Sequence, residues 1–265
     1  LAFPQFSFVG ELDNGDQVVG YSANNLVALG FESLKDIFES RPKLNYYRNY
    51  FSVENRLKVA YHLAHSFELL KACLYIHADI KAEAIYINIQ KAQCAIIDFD
   101  SGAVIESEYD KPTTWGTCQD WLAPEISDQY AKGLTNRNSP NTPIPVNVDL
   151  FSDAWSVAIG IHQIIFTIHP FSFLKELSKN SFNSLQREKI KLPSIPIAFA
   201  FFNKSVKNIR LLRWYQAFFK KAITPNLQGK FRSTFYDGLA NPKLRTTYTQ
   251  WKITLKQALK TKLKR

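Results

Sequence analysis

A chain of 265 residues, 46% of them apolar, is long enough to bury a sizeable core as one large domain or two small ones. It has no run of about eighteen apolar residues and no basic start leading into an apolar stretch and a cleavage site, so neither a transmembrane segment nor a secretory signal is expected. The net charge of +10 is uneven: residues 1–170 carry 12 Lys and Arg against 20 Asp and Glu, and residues 171–265 carry 21 against 3.

Taken in chain order, the first element is a β-hairpin at residues 6–21, FSFVGELDNGDQVVGY. Apolar and polar residues alternate on both sides of DNGD, and the Asn-Gly pair supplies the positive φ angles of a tight turn. SANNLVALG follows as a connector. FESLKDIFES then puts Phe31, Leu34, Ile37 and Phe38 on one helical face. Residues 53–74 repeat the apolar pattern of a helix for about six turns. AIYINI (84–89) and CAIIDF (94–99) read as two short strands joined by QKAQ. Residues 149–168 are apolar nearly all round, the mark of a helix buried in the middle of a domain. Pro193 and Pro196 break helical structure in LPSIPIAF, and further helices are expected at 206–222 and about 244–263. The expected class is α+β, a hairpin followed by a mostly helical body. Cys73, Cys94 and Cys118 are scattered and not in metal-ligand spacing, which reads as reduced thiols in a cytoplasmic protein.

Three acids sit where an acid is costly. Asp79 lies between a long helix and a strand, Asp98 ends the apolar strand CAIID, and Asp153 lies inside the apolar helix. A carboxylate among buried apolar neighbours needs a hydrogen-bond partner, a counter-charge or a metal. In this order and spacing the residues resemble the large lobe of protein kinases. HADIK (77–81) is similar to the catalytic-loop signature His-Arg-Asp-x-Lys, and DFD (98–100) to the Asp-Phe-Gly metal motif. WLAPEI (121–126) holds an intact Ala-Pro-Glu, SDAWSVAIG (152–160) resembles the Asp-x-Trp-Ser-x-Gly helix, and HPF follows at 169–171. DFDSG resembles still more closely an Asp-x-Asp-Ser form found in bacterial kinase-like proteins.

The resemblance covers residues 6 to 240 and implies a protein kinase-like fold that keeps only the last hairpin of the small β-lobe. Residues 1–26 would be that remnant with its hinge, 27–243 the helical lobe, and 244–265 a basic amphipathic C-terminal helix. It implies a serine/threonine kinase using ATP and Mg2+, with a protein as substrate. Asp79 would orient the acceptor hydroxyl, Lys81 would contact the γ-phosphate, and Asp98 would hold the metal. Asn24, Asn25, Leu26 and Ile97 would line the nucleotide. His77 would pack and hydrogen-bond backbone, Asp153 would hydrogen-bond the backbone of the catalytic loop, and Glu125 would pair with Arg232 to lock the substrate segment. The Gly-rich loop and strand lysine of the family are expected upstream, in a longer protein.

The departures open a second reading. Where the family has a second metal-binding Asn, this chain has Ala84, whose methyl group coordinates nothing. Glu83 and Asn88 are the only nearby substitutes. A pseudokinase that binds without turnover is therefore the alternative, although retention of both Asp79 and Asp98 argues for catalysis. A small-molecule kinase is a third reading, opposed by Ala-Pro-Glu and by the position of Arg232. His62, His65 and His162 are expected to be core or rim residues of helices, and His169 a turn residue. Tyr215, Phe218 and Phe219 beside Lys220 and Lys221 read as core at helical spacing, not as a stacking platform. The tail WKITLKQALKTKLKR is expected to dock on the body with its lysines in solvent. The competing expectation is that the basic C-terminal third meets a polyanion, either nucleic acid or an anionic membrane.

Overall fold

The computed structural model describes residues 6–115, 121–136, 144–171 and 224–263. It opens with the expected hairpin, β1 (Phe6–Glu11) antiparallel to β2 (Gln17–Ser22), with Glu11 opposite Gln17. The turn differs from the expected one. Leu12 N–H donates to Asp16 O (2.9 Å), Gly15 N–H donates to Leu12 O (2.8 Å), and within the loop only Gly15 takes a positive φ, at +84°. A loop of this length needs one left-handed residue at its end, which is where the glycine stands. Asn14 instead accepts from Asp16 N–H through Oδ1 (3.1 Å).

The body follows. β3 (Glu32–Ser33) leads into α1 (Leu34–Glu39), α2 (Arg41–Tyr50) and the long α3 (Val53–Ala72). Glu32 and Ser33 are extended against Ile87 and Tyr86, so α1 begins later than the periodicity suggested, and Phe31 lies outside it. Ser33 Oγ caps α1 by accepting from Asp36 N–H (3.0 Å). α2 was not expected from periodicity, although Pro42 in its first turn is a helix-start signal. After α3 come β4 (Tyr75–Ile76), β5 (Ile85–Asn88), β6 (Gln93–Ile96), β7 (Ala103–Val104) and β8 (Thr113–Trp115). Then α4 (Pro124–Asn136), β9 (Pro145–Asn147) and α5 (Leu150–Phe166) complete the middle of the chain. The last part holds α6 (Pro225–Arg232), which runs on through a π turn at Ser233–Asp237, and α7 (Tyr248–Leu263). The sheets are small: β3-β5-β6 in that order, and the pairs β4-β7 and β8-β9, all antiparallel.

α3 and α5 form the centre because both bury most of their surface. Leu57, Ala60, Leu63 and Phe67 of α3 meet Val157, Ile161 and Ile164 of α5 in one buried cluster. Asp149 starts α5 with a capping box, accepting from Phe151 N–H and Ser152 N–H (both 2.9 Å). Arg56 on α3 is fully buried and donates to Phe51 O, Ile165 O, Tyr47 O and Arg48 O, taking up carbonyls at the ends of α2 and α5. His162, also fully buried, faces Ile168 O through Nδ1 (2.9 Å), and burial pushes its ring down to about 3, so it is a neutral core residue as expected.

The tail docks. Tyr248, Trp251, Leu255 and Ala258 of α7 are buried against α3, while Thr249 and Lys252 hold Glu68. Lys256 and Lys260 are exposed. Trp155 stacks on Phe171 at 5.6 Å, and His169 Nδ1 accepts from Phe171 N–H (3.2 Å), so HPF forms the expected turn. The proline break at 193–196, the helix at 206–222, the Tyr215 cluster and Cys118 lie outside the described residues.

Candidate active site

The site is assembled where β4, the β5–β6 hairpin and the start of α5 meet. His77 follows β4, and its ring is fully buried against Phe99 (5.1 Å between centroids). Burial lowers the His77 pKa, so the ring is neutral, and Nε2 faces Ile97 O at 2.9 Å. The next residue, Ala78, takes φ +66°, and Asp79 N–H donates back to His77 O (2.9 Å) across it. Such a three-residue turn at positive φ is strained and persists only where its surroundings over-determine it. Asp153 does that. Its Oδ2 accepts from His77 N–H (2.7 Å) and its Oδ1 from Ala78 N–H (3.0 Å). Burial pushes the Asp153 carboxyl up, to about 7, against the pull of these two amides.

Asp153→Asn keeps the size but replaces one acceptor oxygen by a donor, so one of the two buried amides loses its partner. The expected cost is about 1–3 kcal/mol, read as a fall in melting temperature. An unchanged melting curve would mean the two amides do not depend on the carboxylate.

Past the turn, Asp79 is buried and Lys81 Nζ lies between two carboxylates, hydrogen-bonded to Asp79 Oδ2 and 3.0 Å from Asp98 Oδ2. Asp98 is delivered by the β5–β6 hairpin: Ile97 N–H donates to Ala84 O (3.1 Å), and Asp98 itself takes φ +70°. Burial raises the Asp98 pKa, but the Lys81 hydrogen bond and charge outweigh it and leave the carboxyl below its ordinary value. For Lys81, burial disfavours the ammonium, and the two carboxylates more than restore it, so the pKa ends well raised. Lys81 and Asp98 are thus both held in their charged forms, with Lys81 Nζ shared between Asp98 and Asp79.

Ala84 is fully buried in the core and offers no ligand. Neither neighbour replaces it. Glu83 pairs with Lys35 at 2.9 Å, and Asn88 spends its amide on Leu29 O (3.1 Å) and its oxygen on Lys91 N–H (2.9 Å). Asp98, about a third exposed, is a hard oxygen donor of the kind that holds Mg2+ together with phosphate oxygens and water. Among the described residues no three or more His, Cys, Asp or Glu gather as a metal cage, and Mg2+ does not need one.

Of the residues named for the nucleotide, Ile97 borders this group. Asn24 and Asn25 are exposed in the segment after β2, where Asn25 Oδ1 accepts from Ala28 N–H (3.1 Å), and Leu26 is half-buried beside them. Arg232 is corrected. It is exposed and lies over the Tyr236 ring (5.3 Å), because the π turn after α6 keeps it on the outer side. The partner of Glu125 is Arg245, bonded through Nη1 to Oε1 and Nη2 to Oε2, both at 2.7 Å. Periodicity had no means to single out Arg245, which ends the short turn NPKLR before α7. Tyr75, whose hydroxyl donates to Phe99 O, was also missed. Its one signal was a polar atom on a strand otherwise made of apolar residues.

A family model described as protein kinase domain matches residues 32–213. No curated protein matches the chain.

Proposed function

The chain belongs to the protein kinase family, and on that premise we propose that it transfers the γ-phosphate of ATP to a serine or threonine hydroxyl of a protein. The observation that carries this reading is the meeting of Asp79 and Asp98 on the Lys81 ammonium. Asp79 accepts the proton of the acceptor hydroxyl as its oxygen bonds the γ-phosphorus and the bond to ADP breaks. Lys81 faces the γ-phosphate with a charge that two carboxylates keep in place. Asp98 would hold Mg2+, which when bound neutralises developing charge on the phosphates. The lysine two residues after Asp79 is the pattern of serine/threonine specificity.

The domain division at 26 and 243, a bacterial type and a cytoplasmic location belong to the same proposal. Among the described residues no helix is long and apolar enough to cross a membrane. Lys256 and Lys260, exposed on α7, would add to a polyanion-attracting C-terminal third.

The second reading, a pseudokinase module that binds without turnover, rests on Ala84. Ala84 is buried and its methyl group coordinates nothing, so on this reading only Asp98 remains of the family's two metal positions. The two are separated by phosphate incorporation, measured by mass spectrometry after incubation with ATP and Mg2+. Asp79→Ala is expected to lower the rate by about 10²–10⁴-fold. Phosphate that persists undiminished in the variant overturns the role of Asp79. No phosphate from the unaltered protein, with ATP still bound, establishes the second reading.

A further inference from the structure

We propose that Tyr75 is a positioning residue for the phosphoryl-transfer site: together with His77 it grips the carbonyls on either side of Asp98 and so fixes the direction of the Asp98 carboxylate. The inference rests on the metal role of Asp98 proposed above. Tyr75 lies in β4 and His77 directly follows it, and both rings turn to Phe99. Ile97 and Phe99 flank Asp98. His77 Nε2 takes Ile97 O at 2.9 Å, and the Tyr75 hydroxyl takes Phe99 O. Both rings also pack on Phe99, at 5.1 Å for His77 and 6.1 Å for Tyr75.

The grip matters because Asp98 needs it. A non-glycine residue at φ +70° holds that conformation only when its neighbours are tied down. The chain then turns, with Gly102 N–H donating to the same Phe99 O (3.2 Å), and returns as β7 beside β4, with Tyr75 opposite Val104. Gly102 carries an independent sign of the contact. A Cβ there would lie 2.0 Å from the Tyr75 hydroxyl oxygen and 2.3 Å from its ring carbon, so the absent side chain makes room for the ring. Burial and the carboxylates of Asp153 and Asp100 push the Tyr75 hydroxyl up to about 12, so it remains a donor at neutral pH.

The test uses the full chain with a non-hydrolysable ATP analogue and Mn2+, whose free concentration is read by electron paramagnetic resonance. Tyr75→Phe removes only the hydroxyl and is expected to weaken Mn2+ binding about three- to tenfold, the worth of one hydrogen bond. The metal-free melting temperature should move by a few degrees at most. Gly102→Ala is expected to weaken Mn2+ similarly by pushing the ring off Phe99 O, and to add nothing in a Tyr75→Ala background. A purely structural tyrosine would lower the melting temperature and leave Mn2+ affinity alone. Equal Mn2+ affinity in Tyr75→Phe and the unaltered protein, with Asp98→Asn losing it, overturns the inference alone. No Mn2+ uptake by the unaltered protein overturns the metal role of Asp98, and the role of Tyr75 with it.

Discussion

Arg245→Ala is expected to destabilise the protein by about 3–5 kcal/mol, because it leaves buried polar partners without a counterpart. For a chain of this size that is a fall in melting temperature on the order of 10 °C. The guanidinium is almost fully buried, and each of its nitrogens has a task. Two of them form the fork to Glu125, Nη1 also donates to Phe151 O (2.8 Å), and Nε donates to Gly238 O (3.0 Å). The plane lies over the Trp155 ring at 5.1 Å. Glu125 keeps some access to solvent, so much of the cost comes from the two carbonyls and the lost packing. Arg245→Lys should recover little, since an ammonium cannot reproduce a planar fork with five donors. The matched control is Arg232→Ala, expected to stay within about 0.5 kcal/mol because that side chain is exposed. Equal shifts in the two variants, compared by calorimetry, would sink the assignment of Arg245 as the partner of Glu125.

Asp98→Asn is expected to abolish the Mg2+-dependent part of the stabilisation by ATP. At a nucleotide concentration a hundred times its dissociation constant, binding to the native state alone is worth about 2.7 kcal/mol, a shift readily seen in a melting curve. Asparagine is the informative replacement. It tolerates the left-handed backbone at φ +70° better than alanine would, so the loop is expected to stay in place. Asp79 continues to hold Lys81 through its own hydrogen bond, which limits the change to the carboxylate under test. A Mg2+-dependent shift that survives in Asp98→Asn would place the metal elsewhere.

What the residues announce locally was legible. HADIK, CAIID and the all-round apolar helix at 149–168 owe their signal to spacing within a few residues, and α3 and α5 fall within a few residues of the ranges read from periodicity. α2 escaped because its buried face is narrow; only Tyr47 among its residues is fully buried. The hairpin was legible but its loop was not, since DNGD suits more than one turn geometry and the choice depends on which residues pair.

Most long-range partners were not legible. Glu125 finds Arg245 and not Arg232 because a guanidinium must arrive with its plane on Trp155 and its nitrogens on four acceptor oxygens, a demand that distance along the chain does not encode. The same holds for Tyr75 on Phe99. Asp153 is the exception: the family resemblance implied that it bonds the backbone of the catalytic loop, and it does accept from the amides of His77 and Ala78. Amphipathic sequence announced that α7 would bury one side, and nothing in that pattern distinguishes a protein surface from a membrane. Packing of Trp251, Leu255 and Ala258 against α3 settled it, because that surface offered a matching apolar face with Glu68 at its edge to receive Lys252.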